Sequence, residues 1–535
     1  MKITDLLKKQ SICLDGKADS KEQVIREMVD LMAEGGNIND IDTYRETVFK
    51  REEEGTTGIG EGIAIPHGKT EAVSAPGLAA MVLPEGVDNS TLKYFPPVFS
   101  QLGNSCSQAS GVRYVYTYEL NRLLDRAADS PEHIFNYHFT WNYLNEGNDQ
   151  GSHPELGYNM MKVAGAVTLS DMNDESAVTS STTWMTGYDK YLRAMNYRVK
   201  SYSKFTLKTR EGIDRLRQYL YNRGEEGEPG GVVTFSCKSS DWKEVTYKGT
   251  SVTGLTHMIT RPGTDGAHAL TIAGYDDTVA YDLNGDGEIT EDERGAFIVV
   301  NSWGTWWGSE GKCYYPYKYF LLPAAEGGLA DLDAEALMVE PEIHTPLVVF
   351  RVKLTYTSRN DLYFRLGVAE GDAASPSVIL DYPLMLTQGG DYYMQGNGTL
   401  ESFKTIEVGL NFTDKLADFQ SFRSPKYFLI VRQIGNGKLG EGKINSFSVN
   451  DYRTGTEYAC TEKDLPIKGE LKLSTSSTIE SGLSASPVEW LVPDTNTPQS
   501  HPFVVRKANG QTVKLQFQGY DRKNGKLTIR YAPLP

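Results

Sequence analysis

This 535-residue chain has no apolar run that approaches the roughly 18 residues a helix needs to cross a bilayer, so no membrane span is expected. Cysteine is scarce: Cys13, Cys106, Cys237, Cys313 and Cys460 stand far apart with no CxxC pair, which excludes a zinc ribbon and a disulfide framework. Positive charge is in deficit, with 54 Lys and Arg against 70 Asp and Glu and a net charge of -16. That balance argues against nucleic acid or an anionic membrane as the main partner. The opening stretch MKITDLLKKQSICLDGK has no uninterrupted apolar segment, so it does not read as a signal peptide, and the chain as written is expected to be cytoplasmic. Close internal repeats and low-complexity tracts are also lacking.

What is present is globular. At 39% hydrophobic and 11% aromatic the chain can bury a core, and its length calls for three or four domains. The order of patterns predicts an α+β multidomain protein. Residues 1–82 read as α/β: Ser20 and Gln23 form a capping-box start, and Val24, Ile25, Met28, Val29, Leu31 and Met32 make one helical stripe that stops at Gly35 and Gly36. Residues 83–340 open on a proline-punctuated extended stretch. A helix from Cys106 follows, with Ala109, Val112, Tyr116, Leu120, Leu123 and Leu124 at three- or four-residue steps. A second helix is predicted over 210–223, then strands in GGVVTFSC, HALTIAGY and AFIVVNSW. Beyond about 345 the period becomes two, which predicts a β-sandwich over 341–462 and a small β domain over 463–535.

Three short segments of the middle region carry chemistry: FSQLGNSCSQASG, GAHALTIAGYDD and IVVNSWGTWWG. They offer Cys106 as nucleophile, His268 as base and Asn301 as the amide that orients the base, in the order a cysteine protease uses. A helix starting at Cys106 and a neighbouring imidazole are expected to lower the thiol pKa. The backbone N–H of Cys106 and the side chain of Gln101 are the expected oxyanion donors.

On these residues, with HFTWNYLNEG at 138–147, the region from about 83 to 325 resembles the papain-like cysteine peptidases, in particular their divergent Bacteroidetes-type branch. The resemblance implies a peptide-bond hydrolase of protein or peptide substrates, without organic cofactor, and places Trp303 over the His–Asn hydrogen bond. It also implies a secreted or cell-surface setting, with the β domains holding a cell-surface or glycan ligand. Gln101 precedes Cys106 by five residues where the family has six, and Ser107 stands where the family has tryptophan. A non-catalytic binding protein on the same fold is the alternative.

Residues 282–293, DLNGDGEITEDE, have EF-hand spacing. Asp282, Asn284 and Asp286 take positions one, three and five, the carbonyl of Glu288 takes seven, Glu293 takes twelve, and Gly287 allows the sharp turn. Structural Ca2+ is expected there, stiffening the connection between His268 and Asn301. At the N-terminus, GIGEGIAIPHGKT resembles the fructose/mannitol-type IIA domain of the sugar phosphotransferase system. That resemblance implies a phosphoacceptor at His67 with Arg51 near it, and a phosphotransferase component as the alternative function. The family domain is about twice the length of residues 1–82, and the join at AAMVLPEGVDNS reads as a gene fusion or a sequence-assembly splice.

Overall fold

The fold is that of a computed structural model, in which the described residues are 3–13, 16, 21–55, 57–60, 63–82, 86–172, 181–225, 228–330, 334–382, 389–396, 398, 400–435, 439–476, 481–482, 503–506, 512–521 and 526–533. The chain is a mixed α and β protein with several separate sheets.

At the N-terminus the helices Lys21–Glu34 and Ile41–Glu53 pack through Ile25, Val29, Tyr44 and Val48, each pair one turn apart, together with Ala72. Asp40 caps the second helix by accepting from the N–H of Thr43 at 3.2 Å. Ser20 of the expected capping box lies outside the described residues, and the helix begins at Lys21. A two-stranded parallel sheet, Leu7–Cys13 with Leu78–Met81, lies beside these helices.

The middle of the chain is organised by a nine-stranded sheet. Its axis is the long strand Asp265–Ala280, which pairs with Val233–Ser240 on one side and Arg294–Val300 on the other. The three strands expected from sequence fall within these elements. The helix Arg210–Asn222 also forms: Thr209 caps it by accepting from Gly212 N–H at 3.1 Å, and Ile213, Leu216 and Leu220 face the core. Gly86–Asp88 adds to the edge of Asp265–Ala280 beyond the end of Val233–Ser240. Asn89 then donates to the carbonyls of Leu220 at 2.8 Å and Gly231 at 2.9 Å, which builds the segment after residue 85 into this sheet. The boundary read at 340 is corrected, because the strand Glu335–Ile343 runs through it, paired with Tyr197–Thr206.

The following β region is two sheets. Thr405–Asn411, Val348–Tyr356, Gly442–Asp451, Thr456–Ala459 and Ser481–Gly482 form one, with Leu465–Pro466 at its side; Val378–Asp381, Leu362–Glu370, Pro425–Gln433 and Glu470–Ser474 form the other. The boundary read at 462 therefore falls inside the sandwich. Three short strands after it, Leu465–Pro466, Glu470–Ser474 and Ser481–Gly482, carry too weak a period to be assigned from sequence. The last three strands, Phe503–Arg506, Thr512–Asp521 and Lys526–Pro533, make their own sheet.

The sandwich is not an appendage. One continuous core joins Phe139, Tyr143, Trp184, Tyr188 and Tyr191 to Val348, Phe350, Val408 and Phe447. The Tyr188 hydroxyl accepts from Asn450 Nδ2 at 2.8 Å. The buried guanidinium of Arg359 lies 4.2 Å from the Trp184 ring centroid and donates to the carbonyls of Thr182 and Gly389.

Candidate active site

Cys106 starts the helical run Cys106–Gln108, which widens into a π-helical stretch over Ala109–Tyr116 and continues as Thr117–Leu123. The whole π-helical stretch is buried. Ser110 Oγ bonds Thr271 Oγ1 at 2.7 Å and Thr234 Oγ1 at 2.9 Å, tying the helix to the His268 strand and to its neighbour Val233–Ser240. Tyr114 Oη donates to the carbonyl of Asn301 at 3.1 Å, tying the same helix to the third site residue. These cross-links orient the thiol. The N–H of Ala269, the residue after His268, faces the sulfur.

The polarity of the His–Asn pair can be deduced. Asn301 is fully buried, and the N–H of Ser302 points at its Oδ1 from 2.8 Å. An N–H needs an acceptor, so that atom is the amide oxygen. The same oxygen lies 2.9 Å from His268 Nε2. The imidazole must therefore carry its proton on Nε2, which leaves Nδ1 with the lone pair a base needs. Trp303 stacks on His268 at 4.8 Å between centroids, and Trp242 approaches it edge-on at 6.4 Å. Both indoles keep water from the His–Asn bond. Trp242, Tyr114 and Ser110 were not found from sequence. Trp307, the third tryptophan of NSWGTWW, packs 5.7 Å from Trp242 and donates to Glu244 at 3.0 Å.

Gln101 is held beside the site. Its N–H donates to the Ser302 carbonyl at 2.8 Å, its Oε1 accepts from Ser302 Oγ at 2.5 Å, and its Nε2 donates to Gly103 O at 2.7 Å. The short segment between Gln101 and Cys106 closes at Gly103, whose φ of +55° and close approach to Asp149 (2.0 Å from an added Cβ to Oδ1) exclude any side chain. Asn104 completes this clamp through its N–H to Asp149 Oδ1 at 2.9 Å.

The expected fall in the thiol pKa is corrected. Burial pushes Cys106 up, against a smaller opposing pull from the N–H groups of Ala269, Ser107 and Cys106 itself. Burial likewise pushes His268 down, and the Asn301 bond opposes it. Both shifts favour the neutral forms, thiol and imidazole. A reaction that uses this pair should fall off in acid as His268 protonates, at a pH below the usual imidazole value, and in alkali above the usual thiol value. Asn301→Ala removes the bond that raises the His268 pKa, so the acid limb of kcat/KM should move to lower pH while kcat drops roughly 10- to 100-fold. A pH profile of the variant with an unmoved acid limb would refute this assignment.

The remaining cysteines behave as apolar fillers where buried: Cys237, Cys313 and Cys460 lie in the core, and Cys237 sits across the strand pair from His268.

The loop 282–293 connects the His268 strand to the Asn301 strand as expected. Asp282 accepts from the N–H groups of Gly285 at 2.7 Å and Gly287 at 2.8 Å, and Asn284 and Asp286 stay at the exposed tip. Glu293 is drawn to Thr290 N–H at 3.0 Å and to Lys318 Nζ at 3.2 Å. Glu288 is exposed, its N–H donating to Asp286 at 2.9 Å. Among the described residues no three His, Cys, Asp or Glu side chains converge closely enough to hold a metal ion.

In the N-terminal segment His67 is exposed, with Nδ1 2.9 Å from the Ile65 carbonyl, so Nδ1 is the protonated nitrogen and Nε2 the free nucleophile. Arg51 donates to the Gly55 carbonyl at 3.1 Å, and among the described residues no hydrogen bond joins it to His67.

Comparison with known proteins separates the two ends of the chain. Residues 5–98 match the family described as phosphoenolpyruvate-dependent sugar phosphotransferase system, EIIA 2. The match runs past the expected limit at 82 and into the strand Gly86–Asp88 of the large sheet. The PTS system fructose-specific EIIABC component of Bacillus subtilis is 47% identical over 92 residues, 17% of this chain and 14% of the relative. The PTS system fructose-specific EIIA component of Haloferax volcanii is 42% identical over 77 residues, 14% of this chain and 50% of the relative. The chain thus spans half or less of the length of these relatives. Among solved structures, xylellain, a cysteine protease from Xylella fastidiosa, covers 49% of this chain and 88% of its own at 18% identity and a TM-score of 0.33. The clostridial cysteine protease Cwp84 covers 74% of this chain and 99% of its own at 13% identity and a TM-score of 0.34. Likenesses at that level decide nothing about chemistry, which rests on the side chains above. No helix among the described residues is long and apolar enough to cross a membrane. Residues 5–98 are thus similar to the EIIA 2 family, and the solved structures the chain is similar to include cysteine proteases.

Proposed function

We propose that the middle region is a cysteine endopeptidase. The observation that carries this reading is the buried His268–Asn301 bond, whose direction leaves Nδ1 of His268 free to take a proton from Cys106. The proton moves from Sγ to Nδ1, and the thiolate attacks the scissile carbonyl. The oxyanion is met by the N–H of Cys106 and by Gln101 Nε2, which has a second hydrogen beyond the one given to Gly103. His268 then protonates the leaving amine, and a thioester remains. Water, deprotonated by His268, releases the acid and restores the thiol. Once the proton has moved, the pairing of thiolate and imidazolium suits an amide rather than a carboxylate at position 301, because the charge is already balanced.

A second reading belongs to residues 5–98 alone, where the family match and the exposed Nε2 of His67 favour phosphoryl acceptance. One experiment separates the two. The folded protein is treated with an epoxysuccinyl inhibitor in one arm and with a phosphorylated phosphocarrier protein in the other, and peptides are mapped. The peptidase reading expects stoichiometric alkylation at Cys106 and none at buried Cys237 or Cys313; an unmodified Cys106 sinks it. Acid-labile phosphate on His67 would establish the second activity.

From the twelve-residue spacing we also propose that loop 282–293 binds Ca2+, with Asp282, Asn284, Asp286, the Glu288 carbonyl and Glu293 as ligands. Glu293 would exchange Lys318 for the ion. The expected result is a rise in Tm with Ca2+ that Glu293→Gln abolishes, and an unchanged Tm would end the proposal.

A further inference from the structure

We infer that Trp306 is a specificity determinant that receives an apolar side chain on the leaving-group side of the scissile bond, an inference that rests on the peptidase reading above. Three tryptophans follow Asn301 within six residues, and two have structural work: Trp303 stacks on His268, and Trp307 is buried with its N–H on Glu244. Trp306 has none. It is 77% exposed, the most exposed large hydrophobic among the described residues. An indole left in water forgoes a large apolar contact, and a solvent-facing aromatic is available to a ligand.

Its position defines which part of a substrate it meets. Gly304 has a φ of +87°, and a Cβ there would lie 2.5 Å from Ser100 Oγ and 3.1 Å from Cδ1 of Trp306. The indole therefore lies over Gly304, beside Ser100, the residue before Gln101. Ser100 in turn bridges to Trp303. Trp306 thus flanks the oxyanion residue on the side walled by the Trp303–His268 stack. His268 hands its proton to the departing amine, so the departing segment must lie on the imidazole side. The chemistry that fits is an aliphatic or aromatic side chain one or two residues beyond the cleaved bond.

The test compares the full chain with Trp306→Ala and Trp306→Phe on substrates that share one acyl half. One substrate has a fluorogenic amide with no residue beyond the scissile bond, and quenched peptides carry Leu or Gly at the second position beyond it. The wild type should prefer Leu over Gly by about tenfold in kcat/KM; Trp306→Ala should bring that ratio close to one, and Trp306→Phe should keep most of it. The fluorogenic amide supplies the reference for chemistry alone. A wild type without preference, or a variant that loses equally on all substrates, overturns the assignment while leaving the peptidase standing. A wild type that turns over none of them removes the peptidase reading and this inference with it.

Discussion

Cys106→Ala should lower kcat/KM for peptide hydrolysis by at least ~10⁴-fold, about 5.5 kcal/mol of transition-state stabilisation. The loss is that large because no other group can take the role. Cys237 and Cys313 are buried with thiols pushed up by desolvation, and the hydroxyls of the flanking Ser105 and Ser107 are bonded to Leu102 O and Ser152 Oγ. Gln101, the N–H of residue 106 and His268 would all remain, so substrate binding should persist and KM should move little. Unfolding midpoints should also hold, because Cys106 is only partly buried and sits at the first position of its helix. Residual activity within tenfold of wild type would show that the hydrolytic centre lies elsewhere. A joint loss of activity and folding would be exposed by circular dichroism.

Ending the chain after His344 should leave no folded catalytic region, although all three catalytic side chains would be retained. The helices Tyr137–Leu144, Pro154–Ala164 and Tyr188–Ala194 bury one face against Val348–Tyr356 and Thr405–Asn411. Removing those strands would expose Phe139, Tyr143, Trp184, Tyr188 and Tyr191 together, an apolar patch far larger than a soluble domain carries. The buried Arg359, whose desolvation pulls its pKa to about 9, would vanish with its bonds to Thr182 and Gly389. In the full chain Phe350→Ala, at the centre of the same core, should cost about 3–5 kcal/mol in denaturant unfolding. A truncated chain that stays monomeric, keeps near-ultraviolet dichroism and labels at Cys106 would show that the sandwich is independent after all.

Both expectations turn on what is local and what is not. Cys106, His268 and Asn301 were legible because each sits in a short motif whose neighbours also carry meaning, and because their order along the chain is informative. The strands of HALTIAGY and AFIVVNSW were legible because continuous apolar runs bounded by turns are the mark of buried strands. Domain limits at 340 and 462 were misplaced because a strand joins a sheet through partners distant in sequence: Glu335–Ile343 finds Tyr197–Thr206, and Glu470–Ser474 finds Pro425–Gln433. The thiol shift had the wrong sign for the same reason. A helix start and a histidine can be read from a string, whereas the desolvation that dominates at Cys106 is the sum of everything packed around it.

The sequence by itself determined which side chains are offered as nucleophile, base and orienting amide, because each stands in a short motif, and it determined the likeness of the N-terminal segment to the EIIA 2 family. The tertiary structure alone decided which nitrogen of His268 is the base, that Trp242 closes over it, that Trp306 is left facing solvent, and that a distant sandwich completes the catalytic core. The difference is physical. Residue identity sets what a group can do, while hydrogen-bond direction, burial and shared packing are properties of neighbours that only the folded chain brings together.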